Sequence, residues 1–288
     1  MTDLSISLLS FNTKELLENC LNSIIKNTKS ITYEILLVDN GSKDGSAQMV
    51  KQKFPQVKLV ASRQNKLYIK GHNQNLRRVK GRYFLILNED TEIGPGVLEK
   101  MVKFMDQNKE IGLTSCRQIN ENGKTDTTCS RFPTPIVELL ESSPIFKRLS
   151  HPLCQYCQNL LNKYRYKGWN RKSTKSVDVL PGSFIIGRKE LLEKIGYFDE
   201  DLLFFYGEAD FCQRAKNAGY QVYHKGDVVF THFGSKGLSK LTSSKRYQLA
   251  EHDILVYYKK YFGALSWLIL WLFLKTNWLY MKVRYSPS

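Results

Sequence analysis

Residues 83–91 constrain this chain more than any other stretch. Phe84 to Leu87 are four consecutive apolar residues that run straight into Asn88, Glu89 and Asp90. A short unbroken apolar run bounded by turn residues predicts a strand buried on both faces. Its polar end then leaves the carboxyl edge of the sheet, where open α/β sheets bind their ligands. Glu89 and Asp90 are hard oxygen donors, suited to holding Mg²⁺ or Mn²⁺ against a substrate diphosphate. Taken in isolation, the same three residues also read as an acidic β-turn.

Similar apolar runs recur upstream and downstream. Residues 5–10 predict a first strand, and Asn12 followed by Glu15 has the spacing of a capping box. Leu16, Leu17, Cys20, Leu21, Ile24 and Ile25 then repeat at helical spacing. Residues 35–38 form a second buried strand that ends in Asp39-Asn40-Gly41, a turn in which Gly41 and Gly45 supply positive φ. A helix through Met49, Val50 and Phe54, a strand over 57–60 and a short helix opened by Gly71 lead to the central strand. Pro95 suits the first position of the next helix, and 111–115 read as the following strand. This alternation predicts a largely parallel sheet with helices on both faces. Because 39–46 lacks the G-x-G-x-x-G fingerprint, a nicotinamide dehydrogenase is disfavoured.

The 288 residues suffice for one large or two small domains. Forty-three Lys and Arg against 27 Asp and Glu give a net charge of +16, which favours anionic partners such as phosphorylated substrates, acidic lipid or nucleic acid. Cys20 falls on an apolar helix face and reads as core. Cys154-x-x-Cys157 has zinc spacing but no second Cys/His pair at finger or ribbon distance. No basic patch followed by an apolar stretch opens the sequence, which predicts a reduced, cytoplasmic setting.

Past residue 120 the character changes. Residues 142–177 contain no acid, while Lys163, Arg165, Lys167, Arg171, Lys172 and Lys175 accumulate among Tyr156, Tyr164, Tyr166 and Trp169. Such a segment is a flap over an anionic substrate, a solvated surface or a nucleic-acid contact; nothing nearby supplies base-reading elements. Further on, Glu208 and Asp210 open a helix ended by Gly219, and His232 closes a strand over 228–232. Carboxylates at a helix start are stabilised by its dipole; the functional reading makes one of them a general base. Tyr247, Ala250, Ile254, Tyr257 and Tyr261 mark a last amphipathic helix. Residues 264–274 are apolar all round but fall short of the roughly 20 residues needed to span a bilayer. With Trp267, Trp271, Trp278, Tyr280 and flanking basic residues, this tail reads as a helix lying in the headgroup region. The other readings are a helix docked on the core and a homodimer contact.

Taken together, the motifs resemble glycosyltransferase family 2, in particular bacterial rhamnosyltransferase-like enzymes of surface polysaccharide synthesis. The resemblance covers 5–239 and rests on blocks in order: Ser10-Phe-Asn12, Val38-Asp-Asn-Gly-Ser42, Asn65 with Gly71-His-Asn73, Leu87-Asn-Glu-Asp-Thr91, Gly182-Ser-Phe, Gly196-Tyr-Phe-Asp, Glu208-Ala-Asp and His232. It implies a GT-A fold and inverting transfer of rhamnose or another hexose from a nucleoside diphosphate sugar to a glycan or lipid-linked acceptor. The alternatives are a glycosyltransferase acting on a protein or soluble acceptor and a non-catalytic nucleotide-sugar-binding protein. Residues 1–120 would be the nucleotide-sugar half, 121–240 the acceptor and catalytic half, and 241–288 membrane-associating helices. By position, Asp39 would contact the base, and Ser10, Asn12, Asn40, Asn65, Gly71, Asn73, Asn88, Glu89 and Gly182 would line the donor site. Asp90 and His232 would hold Mg²⁺ or Mn²⁺, Glu208 would be the base, and Asp210 would orient it or serve a structural role. Gly207, Leu67 and Asn75 depart from the family pattern, Gly207 standing where the first acid of a pair is common.

Overall fold

The computed structural model describes residues 2–142, 152–234 and 241–285. The first half alternates as expected: β1 (Leu4–Ser10), α1 (Lys14–Asn27), β2 (Tyr33–Asp39), α2 (Ser46–Lys53), β3 (Lys58–Ala61), α3 (Leu67–Leu76), β4 (Tyr83–Asn88), β5 (Thr91–Glu92), α4 (Val97–Gln107) and β6 (Ile111–Ile119). The second half adds α5 (Pro135–Ser142), α6 (Pro152–Tyr164), β7 (Lys175–Ser176), β8 (Phe184–Arg188), α7 (Lys189–Ile195), α8 (Gly207–Asn217) and β9 (Gln221–His232). A last helix, α9 (Ser243–Tyr285), is broken at Gly263, whose φ of 80° and ψ of −177° split it into arms 243–262 and 264–285.

One sheet runs β3-β2-β1-β4-β8-β6-β9-β5, with β7 on β9. Strands β3, β2, β1 and β4 are parallel; β8 enters antiparallel between β4 and β6, and β9 again runs parallel to β6. Side chains of β4 alternate between two cores: Leu85 and Leu87 join α1, α2 and α4, while Phe84 and Ile86 join α3, α7, α8 and α9. Burial on both faces is what the uninterrupted apolar run requires.

Local readings need correcting in four places. Asn12 does not cap α1: it sits at φ 55° and its Oδ1 accepts the Lys43 N–H at 2.8 Å, while α1 begins after Thr13 without a side-chain cap. Pro95 lies outside α4, whose N-cap is Gly96 at φ 69°. Gly71 does not open α3 but lies within it, packed on Leu9, where an added Cβ would stand 2.5 Å from Leu9 Cδ1. The basic, aromatic segment turns partly inward. Arg171 is buried and donates to the carbonyls of Thr128, Arg165, Tyr166 and Trp169, with its guanidinium 4.8 Å from the Trp169 ring centroid. Lys175 lies over Tyr166 and Trp169. Lys147, Arg148 and His151 fall outside the described residues, as do the side chains of Cys154, Trp278 and Tyr280.

The arms of α9 fold back on each other. The Tyr247 hydroxyl donates to the Leu274 carbonyl at 3.0 Å, and Lys275 pairs with Glu251 at 2.6 Å. Leu270 and Leu274 enter the core, so one face of the tail is docked. The opposite face leaves Leu265, Leu268, Ile269 and Leu272 in the open, Leu265 being 72% exposed. Among the described residues no helix is long and apolar enough to cross a membrane.

Gly187 marks where the antiparallel strand is squeezed between layers: an added Cβ would stand 2.3 Å from Phe84 Cζ and 2.7 Å from Leu113 Cδ2. Overpacking of this kind costs roughly 1–3 kcal/mol. Gly187→Ala is therefore expected to lower the denaturation midpoint at unchanged m-value; a midpoint equal to wild type would contradict the packing.

Candidate functional site

Strands β1, β4, β6 and β9 all point the same way, so their carboxyl ends gather at one edge. A cavity of about 390 Å³ opens there. Its polar lining includes Asn40 and Asn65 on one side and Asn88, Glu89, Asp90, Gln118, Glu208 and His232 on the other. Positions 90, 208 and 232, remote in the chain, thus share one crevice.

Asp90 and His232 meet because β5 pairs with β9, placing Thr91 opposite His232. The Asp90 Oδ1 to His232 Nε2 distance is 3.0 Å, and Nε2 lacks the alignment of a hydrogen bond. Two neighbouring ligands on an octahedral Mg²⁺ or Mn²⁺, each about 2.0–2.1 Å from the ion, lie about 3 Å apart. The pair therefore fits a shared divalent ion, whose remaining positions water and phosphate oxygens would fill. Among the described residues no group of three or more His, Cys, Asp or Glu side chains assembles into a metal cage. Magnesium-type sites commonly use one or two carboxylates plus substrate phosphates. Behind His232, Gln118 Nε2 lies 3.0 Å from Nδ1 and 2.8 Å from Asp126 Oδ2, while Gln118 Oε1 accepts from the Ser183 hydroxyl at 2.6 Å. The orientation of that carboxamide sets which ring nitrogen carries the proton.

Glu208 projects from the first turn of α8. Burial raises its carboxyl to about 7, against the opposing pull of its own backbone N–H and the Tyr68 hydroxyl. Tyr68, on α3, donates its one hydroxyl proton to the Gly182 carbonyl at 2.9 Å. Gly182 has to be glycine for Glu208 to sit here, since a Cβ would fall 2.0 Å from Glu208 Oε1. Glu89 is pushed up to about 8 by burial and then by the charge of Asp90, with the Thr13 hydroxyl donating to it at 3.0 Å. A carboxyl group near neutrality in a cleft is suited to proton transfer.

Not every residue expected at the site reaches it. Asp39 is buried at the end of β2, its Oδ2 accepting the Ser42 N–H at 3.2 Å and its Oδ1 without a hydrogen bond, one residue before the cavity-lining Asn40. Ser10 bonds Thr13, and Asn12 holds the 42–43 turn, both outside the cavity lining. Asn73 spends its amide on the Phe198 backbone and Glu200, and so ties α3 to the 198–200 loop. Asp210 faces away into an ion cluster with Arg214, Lys260 and the Tyr261 hydroxyl. Gly207 packs against Ile69. Sequence reasoning did not single out Tyr68, Gln118, Ser183 and the Phe204–Phe205–Tyr206 wall. Gln118, at the carboxyl end of β6, was within reach of the strand-end rule.

Comparison with known proteins adds the following. Residues 5–196 match the family model described as Glycosyl transferase family 2. The chain is 24% identical over 226 residues to the low-salt glycan biosynthesis hexosyltransferase Agl10 of Haloferax volcanii, covering 77% of this chain and 64% of the relative. It is 23% identical over 212 residues to the N-acetylglucosaminyl-diphospho-decaprenol L-rhamnosyltransferase of Mycobacterium tuberculosis, covering 69% and 66%. The chain thus spans less than two thirds of the length of these curated relatives. Among solved structures, S. aureus TarS in complex with UDP superposes with a TM-score of 0.55 at 19% identity, over 99% of this chain and 73% of that one. GalNAc-T7 with UDP, GalNAc and Mn²⁺ gives a TM-score of 0.60 at 14% identity, over 88% and 48%. The fold is GT-A.

Tyr68→Phe removes a hydroxyl that favours the charged form of Glu208, so the apparent pKa of that carboxyl is expected to rise above 7. Carboxyl ¹³C titration of selectively labelled protein checks this; a fall would show that the phenol does not stabilise the carboxylate.

Proposed function

Because the chain belongs to glycosyl transferase family 2, we propose that it transfers a hexose or deoxyhexose, with inversion, from a nucleoside diphosphate sugar to a glycan or lipid-linked acceptor in cell-surface polysaccharide synthesis. The observation that carries this reading is the convergence of Asp90, Glu208 and His232 on one cavity at the carboxyl edge of the sheet. Asn40 and Asn65, bonded to each other at 2.9 Å, form the wall on the β2 side, where the nucleoside would lie, with Asp39 behind them. Asp90 and His232 would hold a divalent ion at the diphosphate; bound there, the ion would stabilise charge developing on the leaving group. Glu208 accepts the proton of the acceptor hydroxyl as that oxygen attacks the anomeric carbon and the bond to the diphosphate breaks. Tyr68, bonded to the Gly182 carbonyl, stands beside Glu208, and Phe204, Phe205 and Tyr206 line the same cavity and would exclude water there.

A base must be deprotonated to act, so transfer is expected to rise with pH through about 7. A panel of nucleotide sugars with Mg²⁺ or Mn²⁺, followed by nucleoside diphosphate release, gives the assay. Glu208→Gln is expected to lose roughly 10²–10⁴-fold in turnover with donor affinity retained, and Asp90→Ala to lose both metal stimulation and donor affinity. Near wild-type turnover of Glu208→Gln would refute the base assignment.

The bare apolar face of the second α9 arm, with Trp267 and Trp271 stacked 6.2 Å apart, supports attachment to an anionic lipid surface, as does the net charge of +16. Replacing Leu265 and Leu272 together by Glu is expected to abolish cosedimentation with phosphatidylglycerol vesicles. Retained cosedimentation would refute the lipid reading, and a dimer-to-monomer change in light scattering would replace it with a contact between two copies.

A further inference from the structure

We propose that Asp253, on the first arm of α9, is the positioning residue for Glu208, holding the 203–206 wall from which the base is presented; this rests on Glu208 being the base. Asp253 is 0% exposed. Its carboxylate accepts three successive backbone N–H groups: Leu203 at 2.8 Å on Oδ1, and Phe204 and Phe205 at 2.8 and 2.6 Å on Oδ2. The His252 ring lies 3.0 Å from Oδ1. A carboxylate offers about four lone-pair sites, and here they are turned to one loop.

Residues 203–206 lie outside helix and strand, and Tyr206, the N-cap of α8, adopts the left-handed region at φ 59°. A non-glycine residue held there needs its surroundings to over-determine it. Besides Asp253, the backbone of this loop is held where the Leu203 carbonyl accepts the Ile69 N–H at 3.5 Å and the Tyr206 carbonyl accepts the Asp210 N–H at 2.9 Å. The next residues are Gly207 and Glu208, the start of α8. On the same arm of α9, Tyr257 packs its ring 5.0 Å from that of Tyr206, and Tyr258 donates to Glu138, which also accepts the Tyr206 hydroxyl. Lys260 and Tyr261 bind Asp210, two residues beyond the base. One helix face thus grips the base-bearing segment on both sides, and Asp253 supplies the contact to the backbone that lines the crevice. The hydrogen bonds of Asp253 run to the 203–205 backbone, whereas Asn40 and Asn65 on the nucleoside side bond each other and the 66–67 backbone.

The groups facing Glu208 are the Tyr68 phenol on α3 and the Asp253 charge on α9; Glu89 acts on Tyr68 from the far wall. The Asp253 charge raises the Glu208 carboxyl, so neutralising it moves the acid limb of the pH–rate profile to lower pH. An asparagine in its place offers one acceptor instead of two and turns an NH₂ toward an N–H. Misplacing a reacting group by about 1 Å costs on the order of 100-fold.

In the full-length protein, Asp253→Asn is expected to lower kcat about 10- to 100-fold, leave UDP affinity within about twofold and move the acid limb down in pH. Asp253→Glu, which keeps the charge, is expected to lower kcat without moving that limb down. Wild-type kcat and an unmoved limb in Asp253→Asn, beside an inactive Glu208→Gln, would overturn the positioning role alone. An active Glu208→Gln would overturn the base reading instead. Hydrogen exchange of the wild-type Leu203, Phe204 and Phe205 amides tests the clamp without any substitution. Slow exchange is expected, and loop-like rates would overturn it.

Discussion

Everything at this site depends on keeping carboxyl groups partly out of water where strand ends converge. Desolvation disfavours the charged form, and it is the leading cause of the upward displacement of both Glu89 and Glu208. The molecule offsets the cost with polar groups placed in advance: the Thr13 hydroxyl for Glu89, and the Tyr68 hydroxyl and a helix N-terminal N–H for Glu208. Between about pH 4.5 and 7 the folded state keeps protons on these groups that the unfolded chain has already released. Stability from this source is therefore full below the unfolded value and declines as pH rises through the folded ones. The protein gives up stability at neutral pH to hold two carboxyl groups that titrate near neutrality, a familiar exchange at functional sites.

The mixed sheet is what makes the convergence possible. Were β8 parallel to β4, its amino end would lie at the opposite edge, and residues 181–183 would be far from the cavity. Running antiparallel, β8 starts where β4 finishes, and the Asn88 N–H donates to the Ser183 carbonyl at 3.1 Å. Gly182 then packs under Glu208, and Ser183 supports the Gln118 carboxamide behind His232. Because β6 and β9 revert to the direction of β4, Gln118 and His232 arrive at the same edge as Asn88.

Much of this was legible in the residues. The order of elements through residue 115 followed from apolar runs and their spacing, since burial on one or two faces dictates the pattern. The direction of β8 was not, because an apolar run such as Phe184–Ile186 carries no mark of polarity along the sheet. Arg171 misled for a related reason. A cluster of basic and aromatic residues reads as solvated, yet this guanidinium is satisfied entirely by carbonyl oxygens, a partnership with no side-chain signature. Asn73 and Asp210 were recognisable as important, but their partners, Phe198 with Glu200 and Lys260 with Tyr261, lie far away in the chain and set structural roles for both.

Asp253 was readable and was passed over. It stands three residues after Ala250 and four before Tyr257, on the apolar stripe of an amphipathic helix. An acid on such a stripe is costly to bury unless something waits to bond it. The family match ends at residue 196, while Glu208, His232 and Asp253 all lie beyond it. The matched region builds the parallel half and the edge at which a donor can sit. The residues past it bring Glu208 and the helix whose Asp253 bonds the 203–205 backbone, and the outer face of that same helix pair is the bare apolar stripe. The two arms are joined through the Tyr247–Leu274 and Lys275–Glu251 contacts, so the helix pair that bonds the 203–205 backbone also carries the bare apolar stripe.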